Sequence, residues 1–211
     1  MRRFATAAVI AGAALASSAG SANAFFHLLF QSEQQTQAQQ YYRNDPSSNV
    51  QISPVPREVV AFSGYSPGTI VVSTSERRLY YVLGNGTAIR YGVGVGRPGF
   101  TWAGTKTIAR KAEWPDWTPP AQMLKRRPDL PRHMVGGEAN PLGARAMYLG
   151  GSIYRIHGTN APETIGTRVS SGCLRLTNED VIDLYSRVNV GTKVIVLPMT
   201  DRRADLGNAI R

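Results

Sequence analysis

Residues 68–96, reading GTIVVSTSERRLYYVLGNGTAIRYGVGVG, constrain the fold more than any other stretch of this chain. Three runs rich in β-branched and aromatic residues follow one another, with Asn85-Gly86 between the second and third. That dipeptide tolerates positive φ at both positions, which a two-residue hairpin turn demands. Ile70 and Val72, then Leu79, Tyr81 and Leu83, recur with the two-residue period of strands. The stretch therefore predicts a β meander and excludes a helix. Its glycine-rich end, Gly92 through Gly96, lacks the G-x-G-x-x-G spacing of a dinucleotide loop, and Pro98 blocks a helix start there. It reads instead as a strand that another part of the chain approaches closely.

The flanks differ in character. Residues 1–24 carry Arg2-Arg3, a small apolar run over 5–15 and Ala22-Asn23-Ala24, the pattern of a cleavable signal peptide. The apolar run falls short of the roughly 20 residues that a membrane span needs. Residues 25–65 include QSEQQTQAQQ together with Pro46, Pro54 and Pro56, and they read as a flexible linker. Residues 97–143 read as loops with one helical turn near 123–127; connections this long inside a domain are usually lids or binding loops. Trp114 and Trp117 in that region either line a groove or pin the loop to the core. Strands are expected over residues 144–149 and 153–157, a short helix capped by Thr177 or Asn178, a buried strand over 191–198, and a polar tail over 199–211. The expectation is one principal domain over 66–198, mostly β with one or two short helices, which suits a chain of 211 residues.

Formal net charge is +10, and losing Arg2 and Arg3 with the signal leaves +8. Such a chain suits a polyanionic neighbourhood, whether nucleic acid, an anionic membrane face or an acidic wall, or is simply soluble. Export makes nucleic acid the least fitting, and no nucleic-acid-binding motif accompanies the charge. Three histidines and one cysteine show no H-E-x-x-H or C-x-x-C spacing, so metal chemistry fits poorly.

The single cysteine, Cys173, cannot form an internal disulfide in an oxidising compartment. It is either a buried apolar filler or a nucleophile. Strand alternation puts His157 with Arg155 on the face opposite Tyr154 and Ile156, and puts Cys173 with Arg175 opposite Leu174 and Leu176. A thiol, an imidazole and a guanidinium can then line one cleft. As imidazolium His157 would stabilise a thiolate; as imidazole it would take the thiol proton. The backbone N–H groups of Gly172 and Cys173 could form an oxyanion hole, and Arg175 could hold a carboxylate or merely an ion-pair partner. Papain-like peptidases carry cysteine before histidine, the reverse of this order.

HGTN at residues 157–160 and SSGCLRL at 170–176 resemble the catalytic motif of L,D-transpeptidases of the YkuD type. VGRPGFTWAGT, EWPDWTPP and NPLGARAMYLGGSIYRIHG extend the resemblance over about residues 66–198, and the chain is similar to the periplasmic enzymes of Gram-negative bacteria. The resemblance implies a YkuD-like β-sandwich or barrel-like domain. In it Cys173 attacks the third residue of a peptidoglycan tetrapeptide stem, usually meso-diaminopimelate. D-alanine leaves, a thioester remains, and an amine of another stem forms a 3,3 cross-link. His157 is implied as base and then acid, oriented by the Gly158 carbonyl, with no metal or organic cofactor. Ser171 and Asn160 join Arg175 as substrate-binding candidates. Many members carry histidine where this chain has Ser171, so no second imidazole is available. Related enzymes attach a protein to the wall, exchange D-amino acids or cleave cross-links, and the motif does not separate these acceptors. A wall-binding module without chemistry and a sortase-like transpeptidase are the competing readings; the loop motifs do not support the latter.

Overall fold

The computed structural model describes residues 53–199. The expected signal peptide, most of the expected linker and nearly all of the polar tail lie outside the described residues. The described residues form eleven strands: β1 (Glu58–Ala61), β2 (Ile70–Ser73), β3 (Arg78–Gly84), β4 (Thr87–Gly92), β5 (Val95–Gly96), β6 (Gly104–Glu113), β7 (Arg145–Leu149), β8 (Arg155–His157), β9 (Arg168–Ser170), β10 (Leu174–Arg175) and β11 (Lys193–Leu197). Among the described residues there are also two helices, α1 (Ala121–Arg126) and α2 (Asn178–Arg187), and a 3-10 turn at Pro162–Thr164. Nine strands form one sheet in the order β1-β4-β3-β2-β11-β6-β7-β8-β10, and β5 pairs with β9 beside it. The mostly β expectation with one or two short helices holds.

The meander forms as its sequence dictates. Asn85 and Gly86 stand at φ 51° and 70°, closing β3 onto β4. Every residue of β2 is buried because successive side chains feed two clusters. Ile70 and Val72 join Leu79, Tyr91, Ile156, Leu174 and the helix residues Val181 and Leu184 in the main core. Val71 meets Tyr80, Val82 and Ala88 on the opposite face, which Phe62 covers by stacking on Tyr80 at 4.4 Å. Thr177 caps α2 through its side-chain oxygen, which accepts from the Asp180 N–H at 3.2 Å.

Two expectations need correction. The described end of the supposed 25–65 linker is built into the domain: β1 pairs with β4, Phe62 is buried, and Arg57 approaches Asp183 at 3.3 Å and Asp180 at 3.7 Å on α2. Pro54 and Pro56 therefore stiffen a packed segment. Residues 97–143 are also less loop-like than expected, since β6 runs for ten residues between β11 and β7. Of its residues only Ile108 is buried, so no apolar period announces it.

The glycine-rich end of the meander is closely approached, as the sequence suggests. Gly94 exchanges two backbone hydrogen bonds with Arg175, both 2.9 Å, and a Cβ at Gly94 would sit 3.0 Å from the Thr164 carbonyl oxygen. This contact fixes the strand that follows Cys173.

Candidate active site

His157 ends β8, held between β7 and β10, and is buried. Its Nδ1 lies 2.6 Å from the Gly158 carbonyl oxygen. A carbonyl only accepts, so Nδ1 carries the proton and Nε2 keeps its lone pair as a base. Burial pushes the imidazole pKa down to about 3; the Arg175 guanidinium and, less strongly, that of Arg155 push the same way, against the Gly158 and Leu142 carbonyls. The ring is neutral at rest. Of the two roles open to His157, the structure supports the imidazole that accepts a proton over the imidazolium.

Gly158 itself is placed by Asn178, whose side-chain oxygen accepts from the Ala144 N–H at 2.9 Å and the Thr159 N–H at 3.3 Å. The first residue of α2 thus anchors the turn that orients the imidazole. From the sequence alone Asn178 reads only as a possible helix cap.

Cys173 is half-buried and opens into the same cavity as His157. Burial raises the thiol above its ordinary range, while the Arg155 guanidinium, a hydrogen bond from the Arg155 backbone and the Arg175 guanidinium pull it down. The resting pair is therefore a neutral thiol and a neutral imidazole in a positive field. The turn before the thiol is tied at three points. Ser170 Oγ donates to the Cys173 carbonyl at 2.6 Å and accepts from the Gly172 N–H at 3.1 Å, and the Trp102 indole N–H donates to the Gly172 carbonyl at 2.8 Å. Trp102 stacks on Tyr154 with centroids 4.9 Å apart, and Tyr154 occupies the space a Cβ on Gly172 would need. Gly172 also stands at φ 106°, where only glycine is unstrained.

These contacts revise the sequence assignments. The Gly172 N–H is engaged by Ser170 and is not free for an oxyanion, which leaves the Cys173 N–H as the backbone candidate of the two. Asn160 is exposed and donates its amide to the Ala139 carbonyl at 2.9 Å; it braces a loop and does not line the cavity. Ser171 and Arg175 do line it. Trp117 is both buried and a wall of the cavity, whereas Trp114 is exposed. Trp102, Ser170 and Arg155 were not singled out from sequence; the tryptophan in FTWAGT was the available signal for the first.

The cavity encloses about 640 Å³ and no Asp or Glu lines it, yet Arg97, Arg126, Arg127, Arg155 and Arg175 do. The Nε atoms of Arg155 and Arg175 are buried without hydrogen-bond partners. Such a pocket favours ligands that bring their own negative charge. Among the described residues no group of three or more His, Cys, Asp or Glu could hold a metal ion, and no helix is long and apolar enough to cross a membrane.

The YkuD family model, described as the L,D-transpeptidase catalytic domain, matches residues 67–196. A protein of Escherichia coli K12 named probable L,D-transpeptidase ErfK/SrfK is 37% identical over 161 residues, covering 72% of this chain and 50% of its own. A second from that strain, named probable L,D-transpeptidase YbiS, is 38% identical over 66% of this chain and 47% of its own. The chain thus spans about half the length of the curated relatives it matches. A crystal structure of L,D-transpeptidase 3 from Mycobacterium tuberculosis with a faropenem-derived adduct superposes with a TM-score of 0.51 at 20% identity, over 62% of this chain and 60% of that one. At that identity the likeness speaks to the fold.

Proposed function

The chain belongs to the L,D-transpeptidase catalytic domain family of the YkuD type, and from that premise we propose that it is a peptidoglycan L,D-transpeptidase acting through a thioester on Cys173. The observation that carries the proposal is the opening of one thiol and one Nε2-basic imidazole into a single arginine-lined cavity.

In the first half-reaction His157 Nε2 accepts the thiol proton as Cys173 Sγ bonds to the carbonyl carbon of the third residue of a tetrapeptide stem. The Cys173 N–H stabilises the oxyanion. When the tetrahedral intermediate collapses, the carbon–nitrogen bond to D-alanine breaks, and His157 returns the proton to the departing amine. In the second half-reaction an amine of another stem attacks the thioester, gives its proton to His157, and the thiol is restored with a 3,3 cross-link formed. Arg155 and Arg175 hold a donor carboxylate beside the thiol. Residues 1–24 serve as the cleaved export signal to the periplasm and the basic surface faces the anionic wall. A protein amine or water as acceptor would use the same first half-reaction.

The test is incubation of the purified protein with disaccharide-tetrapeptides and mass analysis of protein and products. The expected results are a Cys173 adduct equal to the stem minus D-alanine and a dimer lacking one D-alanine, both absent with Cys173→Ala. A protein adduct with release of only the monomeric tripeptide would assign water as acceptor. Neither adduct nor product, with faropenem also failing to modify Cys173, would refute the reading.

A further inference from the structure

The phenyl ring of Phe100 carries two guanidiniums: Arg97 lies 4.2 Å from its centroid and Arg126 lies 5.0 Å from it. They come from separate segments. Arg97 follows β5, with its N–H donated to the Ser170 carbonyl at 3.0 Å, while Arg126 ends α1. All three side chains line the cavity that contains Cys173. No ion pair is formed by Arg97 or Arg126 among the described residues, although adjacent Arg127 binds Asp129 at 2.6 Å and Arg187 binds Asp183 at 2.8 Å. Unlike those two, Arg97 and Arg126 have no carboxylate within ion-pair distance among the described residues. Two cations sharing one ring repel, and the ring face offsets only part of that repulsion. An anion bound between or across them would remove it. The charges acting on the thiol and imidazole are those of Arg155 and Arg175, so the Phe100 pair forms a separate centre of positive charge.

We propose that Arg97 and Arg126, presented on Phe100, form a second carboxylate subsite that docks a free carboxylate of the wall peptide away from the reacting thiol. The inference rests on the transpeptidase reading for the identity of the peptide. A planar guanidinium held against an aromatic face keeps its outer N–H groups turned to the ligand, so little freedom is lost on binding. The carboxylate comes either from the donor stem or from the acceptor.

Both sources are separable. In a Cys173→Ala background, which permits no chemistry, calorimetry measures the affinity of a tetrapeptide with free carboxylates and of its amidated counterpart. Donor docking predicts that Arg97→Gln and Arg126→Gln each weaken the free acid about tenfold, leave the amidated peptide unchanged, and are rescued by Arg97→Lys and Arg126→Lys. Acceptor docking predicts an unchanged donor affinity. In the Cys173-containing protein the same Gln variants would then lose the preference for a free D-amino acid over its amide in the partition of the thioester. Both arms within twofold of the parent protein would overturn the proposal. The binding arm needs no reaction, so absence of a Cys173 thioester would count against the transferase reading alone.

Discussion

Acidification from pH 7 to pH 5 separates a buried base from an ordinary one. A solvated imidazole with pKa near ~6.5 is about 75% neutral at pH 7 and about 3% neutral at pH 5, so a reaction using it as base slows roughly 25-fold. His157 is pushed to about 3, first by burial and then by Arg175. It stays neutral to about 99% at pH 5, and the thiol, raised above its ordinary value, stays protonated over the same range. Thioester formation on Cys173 in single-turnover quench experiments, followed by protein mass at constant ionic strength, should therefore change less than about twofold between pH 7 and pH 5. His157→Gln should lower the rate by roughly 10²- to 10⁴-fold at both pH values, the range expected for loss of a general base. A wild-type rate that falls about 25-fold with a midpoint near ~6.5 would refute the argument. It would mean that water reaches the imidazole and that the Gly158 contact does not hold it in a dry site.

The same shift has a stability sign. With its folded pKa depressed, His157 makes the native state lose stability as pH falls from about 6.5 towards 3, at up to about 1.4 kcal/mol per pH unit; Asp180, raised to about 6 chiefly by burial, makes it gain stability as pH falls from 6 towards 3.8. Asp180→Asn should thus stabilise the protein by up to about 3 kcal/mol above pH 6 and by little near pH 4 in urea unfolding, whereas a benefit that grows on acidification would contradict the assignment. Gly172→Ala drives a Cβ into Tyr154 at a backbone angle that disfavours it, and is expected to cost on the order of 1–3 kcal/mol and to lower acylation by tenfold or more. Equal acylation rates for that variant and wild type would remove the turn from the mechanism. Trp102→Phe keeps an aromatic ring against Tyr154 but loses the hydrogen bond to the Gly172 carbonyl, so kcat should fall several-fold while melting temperature drops by only a few degrees. A variant with kcat intact would make that hydrogen bond purely structural.

Local signals were legible in the sequence, and long-range ones were hidden. Asn85-Gly86 and Thr177 act through their own neighbours, and both appear where turn and cap chemistry put them. Strand alternation likewise placed His157, Cys173 and Arg175 on the cavity side, but it set Tyr154 on the opposite face; β8 begins only at Arg155, and Tyr154 lines the same cavity. In contrast, β6 is held by partners from elsewhere in the chain, Lys193 opposite Thr107 and Met147 opposite Lys111, while its own residues are mostly exposed. Phe62 and Tyr65 sit in a segment whose prolines and polar residues suggest a tether; Phe62 stacks on Tyr80 and Tyr65 on Phe62, contacts that only the fold reveals. Asn160 and the Gly172 N–H looked available because a sequence shows donors without their acceptors. The carbonyl of Ala139 and the hydroxyl of Ser170 had already taken them.

The electrostatic division of labour follows from the same burial. A histidine held neutral down to about pH 3 cannot serve at rest as the cation that stabilises a thiolate. That positive field comes instead from the guanidiniums of Arg155 and Arg175, whose buried Nε atoms have no hydrogen-bond partner. In the proposed mechanism the imidazole is thereby left free to accept and return a proton, while fixed cations stabilise the charge that appears on sulfur during attack. The two tasks impose opposite demands. A more solvated His157 would be more readily protonated and would add to the field, but it would cease to be a base in acid. Burial beside arginines favours the base, and the Gly158 carbonyl selects the tautomer that has its lone pair on Nε2.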